Sequence, residues 1–171
     1  MTFVDADFYR DYVLQYGWIY HYLIESNSTH FYMYEYSSIS IIPANITYLY
    51  FALNYQGNTD FIVIDNFFLD LREIVFAKGS SSTIRNITID GVPELQSISF
   101  GKYSCRVSSN GRNDGWLTIS NSPKLKIIEM HSYALQDYSS VVFSNLSSLQ
   151  TISIGNYAFQ QSLSFELQGI L

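Results

Sequence analysis

The chain has 171 residues, 47% of them hydrophobic and 14% charged, which suits one domain with a real core and excludes a disordered tract. A net charge of −6, with Lys and Arg scattered and most of them between Arg72 and Lys126, argues against a nucleic-acid or anionic membrane partner. One cysteine, Cys105, leaves no internal disulfide and no thiolate zinc site, and no apolar stretch is long enough for a membrane span.

Residues 1–30 read as an amino-terminal cap segment and residues 31–171 as a repeat array. Ala6 to Ile24, with Asp5 as cap, places Phe8, Tyr12, Val13, Tyr16, Ile19, Tyr20 and Leu23 at helical spacing. Gly17 weakens that helix, and consecutive strands are the alternative. Asp5, Asp7 and Asp11 would make its first turn negative, in keeping with the helix dipole. This start lacks the basic residues and apolar run of a signal peptide, so at face value the chain is cytoplasmic. Four glycosylation sequons (Asn27, Asn45, Asn86, Asn145) gain meaning only if these residues belong to a longer cell-surface or secreted protein.

Tyr32 to Tyr36 reads as an early strand, and Ile39 to Pro43 as another ahead of the segment Ile46 to Phe51 (ITYLYF). That segment introduces a pattern repeated at Leu71–Phe76 (LREIVF), Leu95–Phe100 (LQSISF), Leu125–Met130 (LKIIEM) and Leu149–Ile154 (LQTISI). These four blocks begin at 71, 95, 125 and 149, steps of 24, 30 and 24 residues. Positions one, four and six are apolar and positions three and five tend to be polar, the period-two pattern of a strand with one buried face. Ile98, Phe100, Ile128, Met130, Ile152 and Ile154 should therefore point inward.

A tail follows each strand: Gly101–Cys105 (GKYSC), His131–Leu135 (HSYAL) and Gly155–Phe159 (GNYAF). Tyr103, Tyr133 and Tyr157 should stack as one ladder, with Cys105, Leu135 and Phe159 as a second, buried one. Cys105 then reads as a small hydrophobe rather than a reactive thiol. Ahead of each block lies a second strand ending in Gly91, Asn121 or Asn145, residues suited to positive φ. The extra residues of the long step fall in Ser108–Gly115, a stretch with loop chemistry. Phe165–Gly169 (FELQG) repeats the upstream strand, so the array is expected to stop at mid-repeat, leaving an open end suited to end-to-end self-association.

The sum is a mainly β solenoid of 24-residue strand-turn-strand units with stacked parallel strands. The run Leu149 to Phe159 resembles leucine-rich repeats, in particular their BspA-like branch, and Pro43 to Phe51 looks like FNIP-type repeats. The resemblance covers roughly residues 39–171, although many of the usual leucines are Ile, Phe or Met and the spacing is irregular. It implies a curved solenoid whose strand-lined face binds other macromolecules, with no shared catalytic residues.

The expected function is accordingly a non-catalytic binding or scaffold module without cofactor or metal. Its surface would be the outward residues of the blocks: Tyr48, Tyr50, Glu73, Val75, Ser97, Ser99, Ile127, Glu129, Thr151 and Ser153, with Tyr48 and Tyr50 as anchors. A protein is the expected partner, with a glycan as the alternative. A structural spacer is the second reading, and a β-solenoid carbohydrate-active enzyme a remote third. The third needs paired carboxylates, and only Glu73 and Glu129 come near, two strands and about 10 Å apart. His21, His30 and His131 form no ligand cluster in sequence, and no phosphate loop or nucleophile elbow is present.

Overall fold

A computed structural model describes residues 29–33, 42–53, 55, 60–107 and 114–170. The expected helix from Ala6 to Ile24 lies outside these residues, as do residues 39–41 of the expected strand Ile39–Pro43, whose last two residues are described and belong to no strand. Among the described residues there are eleven strands and no helix. They are β1 (His30–Met33), β2 (Tyr48–Phe51), β3 (Phe61–Ile64), β4 (Glu73–Phe76), β5 (Asn86–Asp90), β6 (Ser97–Phe100), β7 (Gly115–Ser120), β8 (Ile127–Met130), β9 (Tyr138–Ser144), β10 (Thr151–Ile154) and β11 (Ser164–Gln168). From β2 onward the chain alternates between two parallel sheets. The six-stranded sheet runs β1-β2-β4-β6-β8-β10 and the five-stranded sheet runs β3-β5-β7-β9-β11.

Register explains why such different strands fit together. Leu49, Ile74, Ile98, Ile128 and Ile152 pair in succession, and so do Phe51, Phe76, Phe100, Met130 and Ile154. Opposite them, Ile62, Ile87, Leu117, Val141 and Phe165 pair in the second sheet, followed two residues on by Ile64, Ile89, Ile119, Phe143 and Leu167. The two inner rows make one continuous core. Within it Phe51 and Phe76 stack with ring centres 4.5 Å apart, and Phe76 and Phe100 do so at 4.8 Å. Strand spacing and offset ring stacking demand nearly the same separation, so identical residues on successive strands satisfy both. Ile154, Phe165 and Leu167 hold inward register positions but are 52%, 43% and 52% exposed, because β10 and β11 have a neighbour on one side only among the described residues.

The turns follow the same repetition. Gly91, Asn121, Asn145 and Gly169 all have positive φ, between 51° and 68°. The Asn121 amide donates to Asp90 Oδ1 at 2.7 Å and the Asn145 amide to Asn121 Oδ1 at 2.9 Å, so the turn residues also bind one another. After each inner strand the tail closes tightly. A Cβ on Gly101 would lie 2.7 Å from Lys78 N and 2.9 Å from Phe76 O, which explains the glycine there. Tyr103, Tyr133 and Tyr157 sit at φ of 61°, 63° and 62° and stack 4.9 and 4.8 Å apart.

One expectation needs correction, and one strand was not foreseen. Gly115 belongs to β7 rather than to a loop. A Cβ there would meet Arg85 O at 2.8 Å and the Tyr138 ring at 3.3 Å. Tyr138 crosses over this glycine and donates its buried hydroxyl to Ile84 O at 2.7 Å, bridging strands two positions apart. The second miss is β3, where Phe61–Ile64 is apolar on both faces and so shows no alternation. Its turn residue Asn66 also stands five rather than four places before Leu71, which hides the repeat.

The core assigns unequal costs to two small changes. Phe76→Ala should lower the unfolding free energy by about 3–5 kcal/mol, since it empties the middle of the ring stack. Gly101→Ala should cost about 1–3 kcal/mol through its collision with backbone atoms. Urea unfolding of both variants checks this; wild-type midpoints would show that the stack carries no stability.

Candidate functional site

The candidate surface is the outer side of the six-stranded sheet. Alternation leaves two columns there. One runs Tyr48, Glu73, Ser97, Ile127, Thr151, and the other runs Tyr50, Val75, Ser99, Glu129, Ser153. The sequence thus placed all ten expected residues on one face in the expected register. Their accessibility is uneven, however, and the ten do not form one open surface.

At the amino-terminal half Tyr50 is 4%, Val75 0% and Glu73 9% exposed. His30 stacks on Tyr48 at 4.3 Å and Tyr32 on Tyr50 at 5.0 Å. Tyr50 and Val75 form a small second core with Tyr32 and Tyr48 packed against it. The expectation that Tyr48 and Tyr50 are paired anchors is therefore corrected for Tyr50, whose ring is committed to internal packing. Burial also lowers the pKa of His30.

Toward the carboxyl-terminal half the face opens. Ile127, Thr151 and Ser153 are exposed, and Ser97 and Glu129 are half-buried. Ser99 is buried and donates to Glu129 Oε2 at 3.1 Å, which orients that carboxylate along the column. Beside it a cleft of about 160 Å³ is lined by Glu129, Met130, His131, Ser132, Ser153 and Gly155. Gly155 shapes it: a Cβ would lie 2.6 Å from Ser132 N and 2.7 Å from His131 C, so a side chain there would force the preceding turn to shift. The cleft offers a carboxylate, an imidazole and two hydroxyls, a set suited to hydrogen bonding with a polar group. Its residues come partly from the tail, where His131 aligns with Gly101 and Gly155 and reads in the sequence as a solvated turn residue.

Glu73 and Glu129 stand in different columns as well as two strands apart. Among the described residues no group of three or more His, Cys, Asp or Glu could hold a metal ion. No described helix is long and apolar enough to cross a membrane. Sequence reasoning passed over the opposite sheet, where Phe61, Val63 and Trp116 are 51%, 46% and 47% exposed on the outer face. The signal was available, since Phe61 and Val63 align with the polar Asn86 and Thr88. Compared with family models, with curated proteins and with solved structures, the chain matches none of them.

Cys105 takes the expected place, fully buried beneath the tail at the position of Leu135. Burial pushes its thiol far above the ordinary value, outweighing contacts with Ser81, Ser104 and Tyr138. The thiol thus stays protonated in the folded protein while the unfolded chain ionises near pH 9.0. Stability from this group is complete below that pH and declines as pH rises through it, because only the unfolded state then loses the proton. Iodoacetamide at pH 8 should leave Cys105 unmodified in native protein and alkylate it in urea. Rapid native alkylation would contradict the buried placement.

Proposed function

We propose that this chain is a non-catalytic binding module, a leucine-rich-repeat-like solenoid that recognises a partner protein on the outer face of its six-stranded sheet. The observation that carries the reading is the open carboxyl-terminal half of that face. There Ile127, 38% exposed, stands in register between Ser97 and Thr151, next to the polar cleft around Glu129 and His131. An exposed apolar side chain ringed by oriented polar groups is the layout of a protein-binding centre with its rim. The resemblance of Leu149–Phe159 to BspA-like repeats supports the same use of the strand-lined face.

A second reading is self-association through the edges of β10 and β11. It draws on the exposure of Ile154, Phe165 and Leu167, which are apolar residues at inward register positions.

Selection of displayed proteins on the wild-type chain, followed by titration calorimetry, tests the leading reading. Ile127→Arg should weaken a selected partner by at least about tenfold while moving unfolding free energy by less than about 0.5 kcal/mol. Partners that bind Ile127→Arg and Ser153→Arg as well as wild type would remove this face from the site. A mass that rises with concentration in sedimentation, with no partner selected, would favour self-association.

A further inference from the structure

We propose that the outer face of the five-stranded sheet is a separate docking surface, whose occupant is a basic peptide segment carrying an aromatic or apolar anchor. This goes beyond binding through the six-stranded sheet and does not rest on it. Phe61 and Val63 lie on β3 and Trp116 on β7, each roughly half-exposed, while their neighbours Ile62, Ile64 and Leu117 are completely buried. Asn86 pairs with both Phe61 and Trp116, so the two rings stand two strands apart, about 10 Å. Asn86 stands between the rings and Thr88 between Val63 and Thr118, so the middle strand of this face is polar and uncharged at both places.

The same columns end in charge. Ile64 pairs with Ile89, so the residues that follow, Asp65 and Asp90, are neighbours at the far end of the face. Asp65 accepts the Phe67 amide at 3.0 Å, and Asp90 Oδ1 accepts Ser120 Oγ at 2.6 Å and Asn121 Nδ2 at 2.7 Å. Hydrogen bonds hold both carboxylates in place, yet neither has an ion-pair partner among the described residues. At the near end the cation Arg85 is already engaged by both oxygens of Asp114, at 2.8 and 2.9 Å. The face therefore runs from aromatic to anionic over four residues, about 13 Å along the strands. An extended peptide can set one large apolar side chain at Phe61 and Trp116 and a Lys or Arg at Asp65 and Asp90. A neutral glycan could use the rings but would gain nothing from the carboxylates.

A short fluorescein-labelled peptide with one Trp followed by lysines is the probe, read by fluorescence anisotropy against the full chain. It should bind, and more weakly as salt is added. Trp116→Ser should weaken it at least about tenfold. Asp65→Asn and Asp90→Asn should each weaken it about threefold, although Asn keeps the acceptor oxygen that the local hydrogen bonds use. The Asn variants carry the test alone if Trp116→Ser fails to fold. Equal binding by a peptide with glutamates in place of the lysines would overturn the proposal. So would binding indifferent to all three substitutions, or capture of a glucan oligosaccharide by this face in place of the peptide.

Discussion

Parallel strands pair only if each turn of the chain brings the next strand back to the same starting level. The stacked rows of inner side chains enforce that return. Phe51, Phe76 and Phe100 sit face to face at close to the spacing of the strands that carry them. A slip of one residue would put Ser99 where Phe100 belongs and turn the core row to solvent. The backbone ladder and the ring stack thus agree on one distance, and the rest of the molecule is arranged so that nothing disturbs it.

Several details make sense as accommodations to that spacing. Glycine at positions 101 and 155 lets the tail lie against the preceding one without displacing it, whereas Ala77 and His131 hold the same place in the other repeats. Asparagine at 121 and 145 accepts positive φ and also reaches back to the preceding turn. Lys124 donates to both carboxylate oxygens of Glu94, at 2.6 and 2.7 Å, a pairing between neighbouring turns that depends on their being level. The longer step of 30 residues between Ser97 and Ile127 leaves their pairing unchanged. Extra chain can leave the stack and rejoin it without moving the strands.

Much of this was legible because repetition supplies its own control. Block positions four and six were placed inward from alternation alone, and Ile74, Phe76, Ile98, Phe100 and Ile128 are all completely buried. Cys105 was read as a core residue only because it aligned with Leu135 and Phe159. The legible part stops where alternation stops. In Phe61–Ile64 every residue is apolar, so pattern cannot separate the two faces of β3. Alternation also says which way a side chain points, not whether something covers it. Tyr50 and Val75 point outward as expected and are nonetheless buried. Tyr138 was missed for another reason: its role rests on Gly115, a glycine in another repeat, and no single repeat contains both.

Consequently the two outer faces carry different information. One is half closed by aromatic packing and half open around Ile127, and the other offers separated rings beside paired carboxylates. Both exist only if the turns are level. Arg72, Gln96, Lys126 and Gln150 are exposed and mark one line across the six-stranded sheet, each amide bonding the carbonyl of the one before at 2.8–2.9 Å. Nitroxide labels at Gln150 paired in turn with Lys126, Gln96 and Arg72 measure that line by electron paramagnetic resonance. The separations should grow by about 4.8 Å per strand, with the longer loop adding nothing between Lys126 and Gln96. Distances that jump across that step, or fail to increase from pair to pair, would contradict the account.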